Sequence, residues 1–129
     1  MIRTGILNPG INALISRVRH TNTLVIADRG FPFWPAVETI DLSLVDDIPK
    51  VLDVLRAIEE RCVIGRIFMA EEFRQENTPA TQASFEQAFH GIEVVYEPHL
   101  AFKQRVPHAV GLIRTGDTTP YANMILESA

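Results

Sequence analysis

The run TLVIA, residues 23–27, is short, β-branched and apolar on both faces, as expected of a strand covered by helices on each side. Further strand-like runs follow in VIGRIFMA, IEVVYE, AVGLIRTG and NMILES, and IDLSL becomes strand-like by Ile40. Helical patterns separate them. Asn8 and Pro9 open a helix whose Ile11, Leu14, Ile15 and Val18 share one face and which runs out near His20. Asp46 or Asp47 can cap a second helix striped by Val51, Leu52, Leu55 and Ile58. Thr78 and Pro79 start a third, with Phe85 and Phe89 four apart and Gly91 at its end. His99 to Val106 forms a short fourth helix stopped by Pro107, and DTTPYA is a turn joining the last two strands. This alternation predicts an α/β fold: one domain over residues 1–129, a three-layer sandwich with a mainly parallel sheet and helices on both faces.

A chain of 129 residues suits one domain that can bury a substantial core, yet is small enough for oligomerisation to complete a site. Its net charge of -4 and the absence of a basic block argue against a nucleic-acid partner. No run approaches the roughly 20 apolar residues of a membrane helix, so no membrane partner is expected. A single cysteine, Cys62, makes no internal disulfide, and Pro9-Gly10 interrupts the apolar N-terminal stretch before it could act as a signal core. The expectation is a cytoplasmic protein.

In open α/β sheets ligands bind beyond the carboxyl ends of strands. Asp28, the Glu71-Glu72 pair and the segment ending at His99 fall at such ends. His20 reads either as an acid–base group paired with Asp28 or as an ordinary histidine at a helix end, favoured there by the dipole. Asp28 before Arg29-Gly30 is also a good turn former. Glu71 and Glu72, if adjacent on a strand, point to opposite faces, so at most one meets a ligand. His90 and His108 read as solvated. His20, Asp28 and His99 lack a spacing that enforces a shared metal site, and Cys62 sits in a packing context. The chain contains no GxGxxG, P-loop or GxSxG motif, so neither metal nor nucleotide cofactor is expected. Tyr121 and Asn123, two apart, present a phenol and an amide on the same side of an extended chain, suited to a hydroxyl-rich ligand; a turn is the simpler alternative. Phe31, Phe33 and Trp34 occupy a proline-braced loop and either pack, in the core or against another subunit, or touch ligand.

GILNPGINALISRVRHTNTLVIADRG, IDLSL, MAEE, HLAFK and IRTGDTTPYANMIL together resemble the D-ribose pyranase and fucose mutarotase family, the RbsD/FucU group, and its ribose branch most closely. The resemblance spans nearly the whole chain. It implies a cofactor-free isomerase that interconverts cyclic forms of an aldose such as ribose or fucose. It implies His20 as proton donor, and Asp28, His99, Lys103, Tyr121, Ala122 and Asn123 as substrate-binding residues. Rings, commonly decamers, with pockets shared between neighbours are implied too, with His99 and Lys103 reaching a neighbour's pocket. A non-catalytic sugar-binding or transport-accessory module is the alternative. The chain departs from the family where DAGLPIP is usual and DRGFPFWP stands, and where an arginine is replaced by Thr39; these changes bear on the sugar more than on the reaction.

Overall fold

β1 (Thr23–Ala27) lies inside a six-stranded sheet, and its side chains alternate between two separate cores. Leu24 and Ile26 enter a larger core, whereas Val25 and Ala27 enter a smaller one. In the computed structural model, which describes residues 1–129, the remaining strands are β2 (Thr39–Asp41), β3 (Ile64–Ala70), β4 (Glu93–Glu97), β5 (Gly111–Arg114) and β6 (Met124–Ser128). Their spatial order is β2-β5-β1-β6-β3-β4. β2, β5 and β1 run parallel to one another, as do β3 and β4; β6 is antiparallel to both of its neighbours, β1 and β3.

Helices α1 (Pro9–Ile15), α2 (Val51–Glu59) and α4 (Pro79–Phe89) cover one face through Ile11 and Leu14, Val54 to Ile58, and Phe85 with Phe89. A short α3 (Glu72–Glu76) adds Phe73 to that core. On the other face α5 (His99–Arg105) contributes Phe102, and the loop after β1 contributes Phe31 and Val37. The result is the expected three-layer α/β sandwich, thinner on the α5 side. No helix is long and apolar enough to cross a membrane.

Several local expectations are corrected. α1 begins as expected, with Asn8 accepting the Ile11 N–H at 3.0 Å and Pro9 in first position, but it ends at Ile15. Residues 16–22 continue as turns, closed where Thr21, at φ 65°, donates its N–H to the Ser128 carbonyl. His20 is therefore an exposed turn residue rather than a helix terminus. Neither Asp46 nor Asp47 caps α2: Asp47 has φ 64°, incompatible with the extended backbone of a cap, and instead binds Thr118. Lys50 is the cap, with its N–H donated to Asp53; the Val51 N–H goes to Asp117 Oδ2 at 2.9 Å. Glu71 and Glu72 are not strand residues; they begin α3. The connection between β5 and β6, expected as a turn joining them, links strands that have β1 between them.

The connection between β5 and β6 crosses over the carboxyl end of β1. Thr115 donates its N–H and its hydroxyl to the Ala27 carbonyl at 2.9 and 2.8 Å, and Arg29 donates its N–H to the Asp117 carbonyl. Gly116 lies against the 44–48 turn so closely that a Cβ would overlap the Val45 carbonyl and stand 3.1 Å from that of Ile48. Both obstacles are backbone, which cannot swing aside. Gly116→Ala is expected to destabilise the fold by about 1–3 kcal/mol, as overpacking does, with a lowered midpoint in urea denaturation.

Candidate active site

Four chain segments meet beyond the carboxyl ends of β1 and β3. They do so because β6 runs antiparallel and brings its first turn, Tyr121 to Asn123, to that end of the sheet. Asp28 leaves β1 there. Its N–H donates to Asn123 Oδ1 at 2.7 Å, and its own Oδ1 accepts the Gly30 N–H at 3.0 Å. Burial pushes the Asp28 carboxyl above its ordinary value, against the hydrogen bonds from Gly30, Asn123 and Phe31 that favour the charged form. Asp117, 2% exposed, raises it further through like charge. Ala122 and Asn123 are buried, and Tyr121 takes φ 54°, which turns the chain so that its ring meets His99.

His99 is the first residue of α5. Its N–H lies 3.1 Å from both carboxylate oxygens of Glu72, so a side chain from α3 satisfies a free donor at the start of the helix. The imidazole stacks on Phe102 (centroids 6.0 Å, planes 14° apart). It meets Tyr121 edge-on at 5.1 Å and Phe31 edge-on at 6.2 Å. Burial, then the Lys103 ammonium, holds its pKa below the usual histidine value, with Glu72 and Asp28 opposing. Nδ1 is buried without a protein partner. Lys103 follows four residues later on the same helical face. It lines an open recess of about 570 Å³ with Trp34, Leu100 and Gln104.

Of the expected site residues, Asp28, His99, Lys103, Tyr121, Ala122 and Asn123 therefore share one end of the sheet within a single chain. Within the chain His99 stands beside Tyr121 and Phe31, near Asp28. His20 does not join them. It precedes β1 while Asp28 follows it, and a five-residue strand rising about 3.3 Å per residue keeps the two roughly 15 Å or more apart. Within one chain the same separation keeps His20 away from Asp28 and His99, and no group of three or more His, Cys, Asp or Glu is arranged to hold an ion.

The aromatic loop divides. Phe31 is buried, Trp34 is half-buried against the smaller core, and Phe33 is 77% exposed beside a cleft of about 460 Å³. Arg29 pairs with Asp46 at the surface. His90 pairs with Glu59, and Cys62 has its thiol pushed up by burial, so neither enters the site. Sequence reasoning missed Asp117, which receives the N–H groups of Val51 and Thr119. An Asp two residues before a Thr in a loop is the signal of an Asx turn, and it points to this role.

The sheet and the cluster of polar and aromatic side chains at its end define a small α/β protein that gathers acid–base groups and directional hydrogen-bonding groups in one place. The chain belongs to the RbsD / FucU transport protein family, whose model matches residues 1–129. It is 42% identical to a D-ribose pyranase of Geobacillus kaustophilus over 99% of this chain and 93% of that relative. Its fold superposes on that of Bacillus subtilis RbsD complexed with D-ribose with TM-score 0.92 and 34% identity, covering 100% of this chain and 98% of the other. The fold is shared, at TM-score 0.80 and 20% identity, with the fucose mutarotase of Streptococcus pneumoniae in complex with L-fucose; 95% of this chain and 93% of that one are covered.

The raised Asp28 pKa carries a sign. An acid whose folded pKa lies above its unfolded value makes the folded state less stable at neutral pH, and that penalty disappears as pH falls through the folded pKa. Asp28→Asn is therefore expected to melt at a higher temperature than the parent at pH 7. The difference should narrow toward acid pH, where the parent carboxyl is also neutral; thermal melts across pH check this.

Proposed function

We propose that this protein interconverts the pyranose and furanose forms, and with them the anomers, of ribose or a closely related aldose by acid–base ring opening. The observation that carries this reading is the meeting of Asp28, His99, Tyr121 and Asn123 at one crevice, in a chain whose relatives are D-ribose pyranases. Ring opening takes a proton from the anomeric hydroxyl, forms the C1 carbonyl, breaks the bond from C1 to the ring oxygen and returns a proton to that oxygen. Closure through a different hydroxyl reverses these steps. Protons alone move, so the residues needed are a donor, an acceptor and groups that hold the sugar.

Asp28 accepts from a sugar hydroxyl, and Asn123 and Tyr121 fix the ring by directional hydrogen bonds. The main chain at Ala122 supplies further contacts, and Lys103 donates from α5. His99, kept largely neutral by burial and Lys103, offers an imidazole nitrogen that both donates and accepts without charge. His20 is the proton donor. Because β1 separates it from its own crevice, it acts in the crevice of a neighbouring copy, and the working form is a ring-like homo-oligomer, a decamer in our reading. One half-buried cysteine with a raised pKa is compatible with the cytoplasm as its compartment.

The second reading, a sugar-binding accessory module without turnover, is favoured by the separation of His20 from the crevice within one chain. Saturation-transfer NMR on a panel of aldoses separates the two. Exchange between ring forms of ribose is expected to speed up in metal-free buffer; binding without faster exchange selects the accessory module.

His20→Ala is expected to cut exchange by roughly 10²- to 10⁴-fold with a smaller loss of affinity, since proton transfer matters mainly in the transition state. His20→Ala and Asp28→Asn chains mixed after dissociation should regain activity, because some crevices then pair an intact Asp28 with an intact neighbouring His20. Random mixing restores about a quarter of the sites. No recovery on mixing would place His20 outside the reaction or return it to its own chain.

A further inference from the structure

We propose that Phe31 is a positioning residue that holds the His99 imidazole at one angle and thereby sets how tightly the sugar is bound. The proposal rests on the reading above, in which His99 touches the sugar. Most buried imidazoles are oriented by a hydrogen bond at one ring nitrogen, which fixes rotation about the bond to the ring. In His99 that anchor is missing within the chain, because Nδ1 is buried with no protein partner. Glu72 fixes the main chain of His99, through its N–H, but leaves the ring free to turn.

Packing has to supply the orientation, and three rings do so. Phe102 lies parallel beneath the imidazole, Tyr121 meets it at 82°, and Phe31 meets it at 80°. Phe31 also meets Phe102 at 88° and 6.1 Å, so one buried ring braces both His99 and the surface on which His99 stacks. Tyr121 belongs to the sugar-holding set; Phe31 and Phe102 both belong to the smaller core, and of these Phe31 is the ring that meets both His99 and Phe102 edge-on. Its position is also where this chain departs from the leucine of the usual DAGLPIP. A leucine fills much of the volume but presents no ring edge to a π face, and edge-to-face pairs add affinity beyond area burial.

The charged and titratable groups facing His99 are Lys103 on its own helix, Glu72 from α3, Asp28 at the end of β1 and Tyr121. None of them is altered by replacing Phe31. A change in His99 titration on that replacement therefore reports altered packing and water access around the ring.

The test compares wild type with Phe31→Leu, and with Phe31→Met as a second side chain of similar volume in case the first does not fold. Three quantities are measured on each: ribose Kd, the rate of ring exchange, and the NMR titration of the His99 ring, assigned by its loss in His99→Gln. In a folded variant ribose Kd is expected to rise roughly three- to tenfold, the worth of one aromatic pair. The exchange rate at saturating ribose should change less, and the His99 midpoint should move up toward the free value as water reaches the ring. A folded variant with unchanged ribose Kd and unchanged His99 midpoint would overturn the proposal, since a purely structural role moves only the melting temperature. If wild type itself fails to accelerate ring exchange, the isomerase reading falls, and the His99 midpoint, which needs no sugar, decides the role of Phe31 by itself.

Discussion

The reversed direction of β6 is the constraint on which the site depends. A strand inserted antiparallel between β1 and β3 starts where its neighbours finish, so the turn that enters β6 lies beside the segments that leave them. Asn123 then reaches the Asp28 N–H, and Tyr121 reaches a histidine that follows β4. In a wholly parallel sheet, the residues before β6 would sit at the opposite end, and no single crevice would gather them. The cost is a crossing over the end of β1, held by Thr115 on Ala27 and by buried Asp117 on two separate N–H groups.

Much of this was readable from residue patterns. TLVIA declared a strand buried on both faces because the four residues after Thr23 are all apolar, and the Asn8-Pro9 and Thr78-Pro79 pairs announced helix starts through cap chemistry that acts over three residues. Asp28, His99, Tyr121 and Asn123 were nameable, partly from position and partly from family resemblance. What stayed hidden is set by contacts distant in sequence. The α2 cap depends on Asp117, 66 residues away, and on an Asp47 backbone turned to positive φ. The early end of α1 depends on the Thr21 N–H finding the carbonyl of Ser128. No local pattern encodes either. The separation of His20 from Asp28 needed only the recognition that a strand lies between them, yet adjacency in the motif suggested partnership.

Charge and burial at the crevice are arranged in opposite senses. Desolvation works against the negative form of Asp28 and against the positive form of His99, so both groups are brought nearer to neutrality than solvent would allow. Hydrogen-bonding groups whose charged forms are disfavoured by burial suit a neutral polyhydroxyl ligand better than they suit a phosphate or a carboxylate. Of the rings gathered there, Phe31 and Phe102 are buried in the smaller core, and Tyr121 keeps the exposed surface that the C–H face of a sugar can meet.

The edges of the sheet have their own significance. β2 is three residues long, and Asp41 on it is tied to Arg114; β4 carries Glu93 and Glu97 at its two ends, with Glu97 paired to Arg105. Short and charged edges offer poor templates for another strand. Exposed strand edges carry a constant risk of cross-β growth, and here the outermost strands are blunted against it. Contact with any other chain is thereby left to side-chain surfaces, where the main chain cannot be captured.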